Sequence, residues 1–419
     1  MPFAVYLLGL AIFAQGTSEF MLSGLVPGIA RDLHVSIPAA GLLTSAFAAG
    51  MVVGAPLMAV LGLRWPRRNA LLAFLLTFLL AHVVGAVTTS YGVLLVTRVV
   101  AALANAGFLA VAMATALGMV APNAKGRATS VLLGGVTMAC VAGVPGGAVL
   151  GEVWGWRSAF WAVSFALIPA IVAVLKSVPA GGPPAGAEAG GASAAPGEAR
   201  RPSVRRSSVR RSIVRAELRS LRRPRLLVML VLGALVNGAT FCTFTYLAPL
   251  LTGVTGLQPA WMPAMLALFG LGSFAGVTIS GRIADVRPVR LLAIGGPALS
   301  LGWAVFALTA GFPAVAFVLV FVQGTLSFAV GSTLISQALY AATGAPTLGG
   351  ASATAALNVG ATAGPWLGGI VIGAGFGYRS PLWVSALLVI AALLLGGVAA
   401  LAGRHAARRE DSQAEVSPI

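Results

Sequence analysis

The residues best able to do chemistry are one carboxylate and one guanidinium, Glu19 and Arg98, each set inside a long apolar run. An ionisable group at membrane depth is costly and usually faces a cavity or a partner. Glu19 is the only carboxylate in the apolar runs as read from the sequence. At 1.5 Å per residue it falls about 12 Å from one end of its run, and Arg98 falls about 10 Å from the same face. The two are therefore expected at similar depth. A carboxyl poised between the cost of burial and the attraction of a guanidinium can bind a proton on one side and release it on the other. Arg98 stays charged, so its part would be to set the behaviour of Glu19. Two other readings stand beside this one: Glu19 hydrogen-bonds a ligand or pairs with Arg98 for packing, and Arg98 snorkels to the surface.

Uncharged polar groups form a second set. Asn237, Phe241 and Phe244 recur at i, i+4 and i+7, with Tyr246 close by, and Thr354, Asn358 and Thr362 share a helical spacing. Gln323, Ser327, Gln337 and Asn105 lie in other apolar runs. As a set they suit a cavity for a neutral, amphipathic molecule; singly, each reads as a helix–helix hydrogen bond. His82 reads as a structural residue. Cys140 and Cys242 lie within apolar runs, with no ligand cluster, and read as packing thiols. No acid pair, nucleophile–base set or phosphate loop is present, so no enzyme activity, no cofactor and no metal is expected.

The elements that must position these groups are membrane helices. Of 419 residues 58% are apolar and 9% charged, with a mean hydropathy of +0.95. About 20 apolar residues span a bilayer, and twelve such runs fit: 4–26, 38–62, 69–88, 91–119, 128–150, 158–175, 226–251, 261–281, 290–310, 313–341, 348–372 and 382–403. The expected organisation is a bundle over 1–175, a linker over 176–225, a second bundle over 226–403 and a tail over 404–419. The 27 Lys and Arg explain the net charge of +17. Eleven fall between Arg200 and Arg225, and only Arg31, Arg157 and Arg379 fall in the loops on the other side. Positive charge marks the cytoplasmic face, so both termini and the linker are expected inside a cytoplasmic membrane. The linker is Gly/Pro/Ala-rich and then Arg-rich. Val214, Leu218 and Leu221 fit one face of a short surface helix that could touch anionic lipid; nucleic-acid binding is not expected.

The two groups of six align without gaps at an offset of 222. Pro27 falls on Pro249, Pro66 on Pro288, Gly146-Gly147 on Gly368-Gly369, and GWRSAFW (155–161) on GYRSPLW (377–383). An even number of spans per repeat gives a parallel repeat with a pseudo-two-fold along the membrane normal. Two such bundles rocking about a central cavity give alternating access.

These features resemble the major facilitator superfamily, in particular its twelve-span drug:proton antiporters. The fifth span's Gly143-Val144-Pro145-Gly146-Gly147 is similar to that group's antiporter motif. Arg98 matches its fourth-span arginine, with Ala101 and Ala102 where Gln and Gly are usual. The loop 2–3 motif is degenerate in the first half (Arg64, Arg67, Arg68, no aspartate) and fuller in the second (Gly281, Asp285, Arg290). The strings TSEF (17–20), GLVP (24–27) and RVVAALANAG (98–107) are similar to the chloramphenicol exporters of actinomycete bacteria. The resemblance implies an all-α major facilitator fold and proton-coupled efflux of a chloramphenicol-like drug. It implies gating by the glycine motif and by the arginines of the two loops, and a monomer among membrane lipids. Export of another neutral compound, such as a sugar or nucleoside, and a non-transporting scaffold are the alternatives.

Overall fold

The computed structural model describes residues 2–62, 65–178, 224–283, 286–342 and 346–415. The linker residues Val214, Leu218 and Leu221 lie outside these, as do Arg64 and Asp285. Among the described residues, twelve helices are long and apolar enough to cross a membrane. The first span is α1 (Phe3–Phe20) continued by α2 (Leu22–Asp32). Pro27 removes the hydrogen bond to the Ser23 carbonyl and crowds that turn, which kinks the span just beyond Glu19. Then come α3 (Ile37–Gly62), α4 (Arg67–Val87) and α5 (Tyr91–Gly118). The fifth span is α6 (Lys125–Met138), a π-turn (Ala139–Gly143) and α7 (Val144–Trp154), and α8 (Trp156–Ser177) closes the half.

The second half repeats this order. Its seventh span is α9 (Pro224–Thr245) broken into α10 (Leu247–Gly253), with Pro249 at the place of Pro27. It continues with α11 (Met262–Ile283), α12 (Pro288–Thr309), α13 (Pro313–Ala341), α14 (Pro346–Val371) and α15 (Ser380–Glu415). The last helix runs beyond residue 403, so the tail begins as its continuation. The fifth span also runs further than the sequence suggested, which brings Glu152 into its last turn, where it is exposed.

Packing obeys the repeat. Spans 2 and 4, 3 and 4, 1 and 5, and 3 and 6 pair in the first half; 8 and 10, 9 and 10, 7 and 11, and 9 and 12 pair in the second. The heptapeptide repeat is a helix start. Gly155 and Gly377 have φ of 81° and 73°, where a side chain would be strained. Ser158 and Ser380 each donate from Oγ to the carbonyl of that glycine at 2.7 Å. Between halves, α3 meets α14 and α7 meets α11. A two-fold carries span 2 onto 8 and 11 onto 5, so these are the two copies of one seam. Outward faces are apolar: Ile294 is 71% exposed and Leu394 66%, as a bilayer requires.

Candidate functional site

The site is built where α1, α4, α5 and α8 converge. Arg98 is fully buried, and its Nη1 donates to Ser18 Oγ and its Nη2 to the Ser18 carbonyl, both at 2.8 Å. The guanidinium lies 4.5 Å above the Phe47 ring and 5.9 Å from that of Phe160, favourable for a cation over aromatic faces. His82 completes the chain. Its Nε2 is 2.6 Å from Ser18 Oγ and its Nδ1 2.8 Å from the Phe78 carbonyl.

The expected pairing of Glu19 with Arg98 takes a different form. The two charges are close enough to attract each other, yet the Glu19 carboxylate makes no hydrogen bond and no ion pair. Arg98 instead docks on Ser18, the preceding residue. Side chains 100° apart on a helix point differently, and the guanidinium follows Ser18. Glu19 is half-buried. One turn below it on the same face, Gln15 is wholly buried, with both amide atoms lacking partners. Gln15 was not singled out from sequence. The signal was there, in the polar and small run QGTSE (15–19) on an otherwise apolar helix.

The structure sorts the other candidates. Phe241 and Phe244 do face the centre. Phe20 of the first half meets Phe241 of the second at 5.8 Å between rings, and the row continues through Phe244, Phe269 and Phe328. These rings, with Cys140, Val144 and Thr240, enclose only about 20 Å³, room for about one water. Asn105 is buried, its Nδ2 3.6 Å from Met51 Sδ and its Oδ1 without a partner. Its repeat counterpart, Ser327, likewise has a buried Oγ without a partner. Gln323 donates to the Leu299 carbonyl at 3.2 Å, and its Oε1 is unpartnered.

Three other candidates are, like Gln323, engaged with backbone. Asn237 donates to the Leu357 carbonyl at 2.7 Å, and Asn358 to the Thr354 carbonyl of its own helix at 3.0 Å. Tyr246 is 1% exposed and donates to the Pro365 carbonyl at 2.8 Å. Its ring lies against Gly41 of the first half and Gly368 and Gly369 of the second, so it fastens the halves together at the Asp32 end. A lateral groove of about 610 Å³ between α3 and α14 is lined by Ser45, Val52, Leu95, Thr362 and Trp366, among others.

The glycine motif has a packing reason. A methyl at Gly143 would collide with Thr17 Oγ1, and those at Gly147 and Gly151 would press on Met21 and Leu25. Gly146 alone has open space beside it. Pro145 sits in the first turn after the π-turn, where its missing N–H costs least. Across the seam, Gly270 of α11 approaches the Cys140 carbonyl so closely that a methyl would collide with it. The loop arginines are less defined. Arg67 and Arg68 begin α4 and are partly buried, whereas Gly281 and Arg290 are exposed. At the Asp32 end, Asp32 accepts from Trp156 Nε1 at 3.0 Å and from Arg157, whose Nη2 reaches the Thr88 carbonyl at 2.9 Å. These bonds hold the Asp32 carboxyl below the usual carboxylate range.

Two pseudo-symmetric six-span halves that meet on a two-fold seam, with lone polar groups buried beside it, define a membrane transporter rather than an enzyme. The chain belongs to the Major Facilitator Superfamily, whose sequence pattern matches residues 8–357. It is 54% identical over 395 residues to the chloramphenicol resistance protein of Streptomyces lividans, across 94% of this chain and 95% of that one. The inner membrane transport protein YdhP of Escherichia coli K12 is 34% identical over 93% of this chain and 94% of its own. Among solved structures, a bacterial homologue of the human lysosomal transporter Spinster, inward-facing and occupied, superposes with a TM-score of 0.72 at 16% identity. That match covers 95% of this chain and 96% of the other, and at such identity it bears on the fold alone.

Proposed function

We propose that this chain exports chloramphenicol-like drugs from a bacterial cell in exchange for protons. The substrate rests on the likeness to the Streptomyces lividans resistance protein. The coupling rests on one observation: Glu19, half-buried in an apolar span, has no partner for its carboxylate while a fully buried arginine sits beside it. An ionised carboxylate there is costly and a protonated one is not. Protonation from outside and release inside thus tie the charge to the position of the halves. Gln15, Asn105 and Ser327 offer unpartnered polar atoms to a drug that carries hydroxyl and amide groups. The bundles of residues 1–175 and 226–403 rock about the seam as a monomer in the cytoplasmic membrane. Both termini and the arginine-rich linker face the cytoplasm, where anionic lipid is at hand.

The test is Glu19→Gln, which keeps shape and hydrogen bonding but cannot ionise. Cells expressing the parent chain should resist chloramphenicol and regain labelled drug when a protonophore collapses the gradient. Glu19→Gln cells should lose that resistance while the protein still binds drug. Full resistance in the variant would remove Glu19 as the proton carrier. Unchanged susceptibility in well-expressing parent cells would move the substrate to another neutral compound.

A further inference from the structure

Proton carriage by Glu19 leaves His82 without a task, although it is 1% exposed and bonded at both ring nitrogens. We propose that His82 is a positioning residue that, through Ser18, docks Arg98 away from the Glu19 carboxylate. The proposal rests on Glu19 as the proton carrier.

The hydrogen bonds fix the direction of the chain. The Phe78 carbonyl can only accept, so His82 Nδ1 carries a hydrogen and donates to it at 2.8 Å. Nε2 of the neutral ring is then an acceptor, and the Ser18 hydroxyl spends its one hydrogen on it at 2.6 Å. That turns the lone pairs of Ser18 Oγ toward Arg98 Nη1 at 2.8 Å. The ring itself cannot swing. It stacks on Phe78 at 4.2 Å and leans on Phe160 at 5.5 Å. Without His82, a serine hydroxyl in a helix turns to a carbonyl of its own preceding turn, and this orientation is lost.

Arg98 therefore has two docks on one helix. The neutral dock, Ser18 Oγ and carbonyl, holds it here. The charged dock is Glu19, one residue on. Both docks take hydrogen bonds from an ionised donor, but a carboxylate adds an opposite charge and can accept two parallel bonds from a guanidinium, so a bare serine would not compete with it. The His82 chain gives the neutral dock its fixed geometry. While Arg98 rests there, Glu19 keeps its proton. When the guanidinium crosses over, the O–H bond of Glu19 breaks and the proton passes to water in the opened cavity. The carboxylate left behind then pairs with Arg98. The charged groups at this site are Glu19 on α1 and Arg98 on α5; the fifth span adds the Cys140 thiol near Glu19, and α3 and α8 contribute the Phe47 and Phe160 rings.

The experiment uses purified protein in liposomes and four variants: His82→Phe, Ser18→Ala, their double and Glu19→Gln. His82→Phe keeps the aromatic stack and removes both hydrogen bonds. Labelled chloramphenicol transport is measured in two ways, driven by a pH gradient and as drug–drug exchange without one. His82→Phe and Ser18→Ala should each lower gradient-driven transport about tenfold, the worth of a hydrogen bond to a charged group. Exchange should stay within about twofold, and the double should be no worse than the poorer single, as for residues in one chain. Equal loss of both activities in the singles, or loss of neither, overturns the proposal. Should His82→Phe fail to reconstitute, Ser18→Ala decides alone, because it leaves the ring stack intact. Glu19→Gln separates the two ideas. If it keeps gradient-driven transport, the carrier reading falls. If it loses that transport while His82→Phe keeps it, only the positioning role falls.

Discussion

Gly270→Ala should unlock the Asp32 end of the seam. The added methyl would collide with the Cys140 carbonyl and lie 3.0 Å from Val141 Cα, both backbone atoms that no rotamer change can move. Ordinary carbon contacts begin near 3.5 Å, so α11 and the π-turn must separate before the substitution fits. Overpacking of this kind costs about 1–3 kcal/mol, and here only the closed arrangement bears the cost. That shifts the balance toward opening at this end by about fivefold to 150-fold. Cys140 reports the shift, because it is half-buried beside the central rings, while Cys242 is fully buried in the second half. The assay is labelling of Cys140 by a membrane-impermeant maleimide added outside, in a Cys242→Ala background. Gly270→Ala should raise that rate by the stated factor and lower drug export. Unchanged labelling with unchanged export would show that the contact at Gly270 does not hold the halves closed.

Two further outcomes follow from named contacts. Tyr246→Phe deletes the hydrogen bond to the Pro365 carbonyl and should cost about 1 kcal/mol of stability, read as a lower melting temperature in detergent with export retained; export lost at unchanged melting would return Tyr246 to the drug site. The Asp32 clasp should be sensitive to acid, because a carboxyl held low by Arg157 and Trp156 adds stability above its unfolded value, near 3.9, and loses it as pH falls through the folded value. Asp32→Asn should therefore melt slightly below the parent at pH 7, with the gap closing below about pH 4; the effect is small because both partners are partly exposed, and a gap that is constant from neutral to acid would rule the clasp out.

Spans, their number and the offset of 222 were legible because long apolar runs, helix-start glycines and prolines leave marks that survive in a single sequence. Depth was legible too, since rise per residue is fixed: Glu19 and Arg98 do lie at one level. What depth does not give is rotation. Which of Ser18 and Glu19 receives the guanidinium depends on a turn of 100°, and on His82 reaching in from α4, a residue that read as structural. Asn237 and Asn358 fit a cavity by type and spacing, yet each is held by a carbonyl, because an amide in an apolar bundle takes whatever backbone acceptor lies within reach. Gln15 went the other way: it is buried with none.

The place that the repeat assigns opposite Glu19 is Phe241, so the two-fold that governs the packing is broken at its most consequential position. With Glu19 as the one proton carrier and a neutral drug, each cycle on the proposed reading moves one net positive charge inward. Exchange is then electrogenic. Every 100 mV of membrane potential contributes about 2.3 kcal/mol per cycle, enough to hold the drug about fiftyfold lower inside than out. A second proton-carrying carboxylate at the place of Phe241 would square that ratio, at the cost of a second buried charge to neutralise. On that reading the limit comes from a phenylalanine standing where a second carboxylate would, while its ring contact with Phe20 closes the centre.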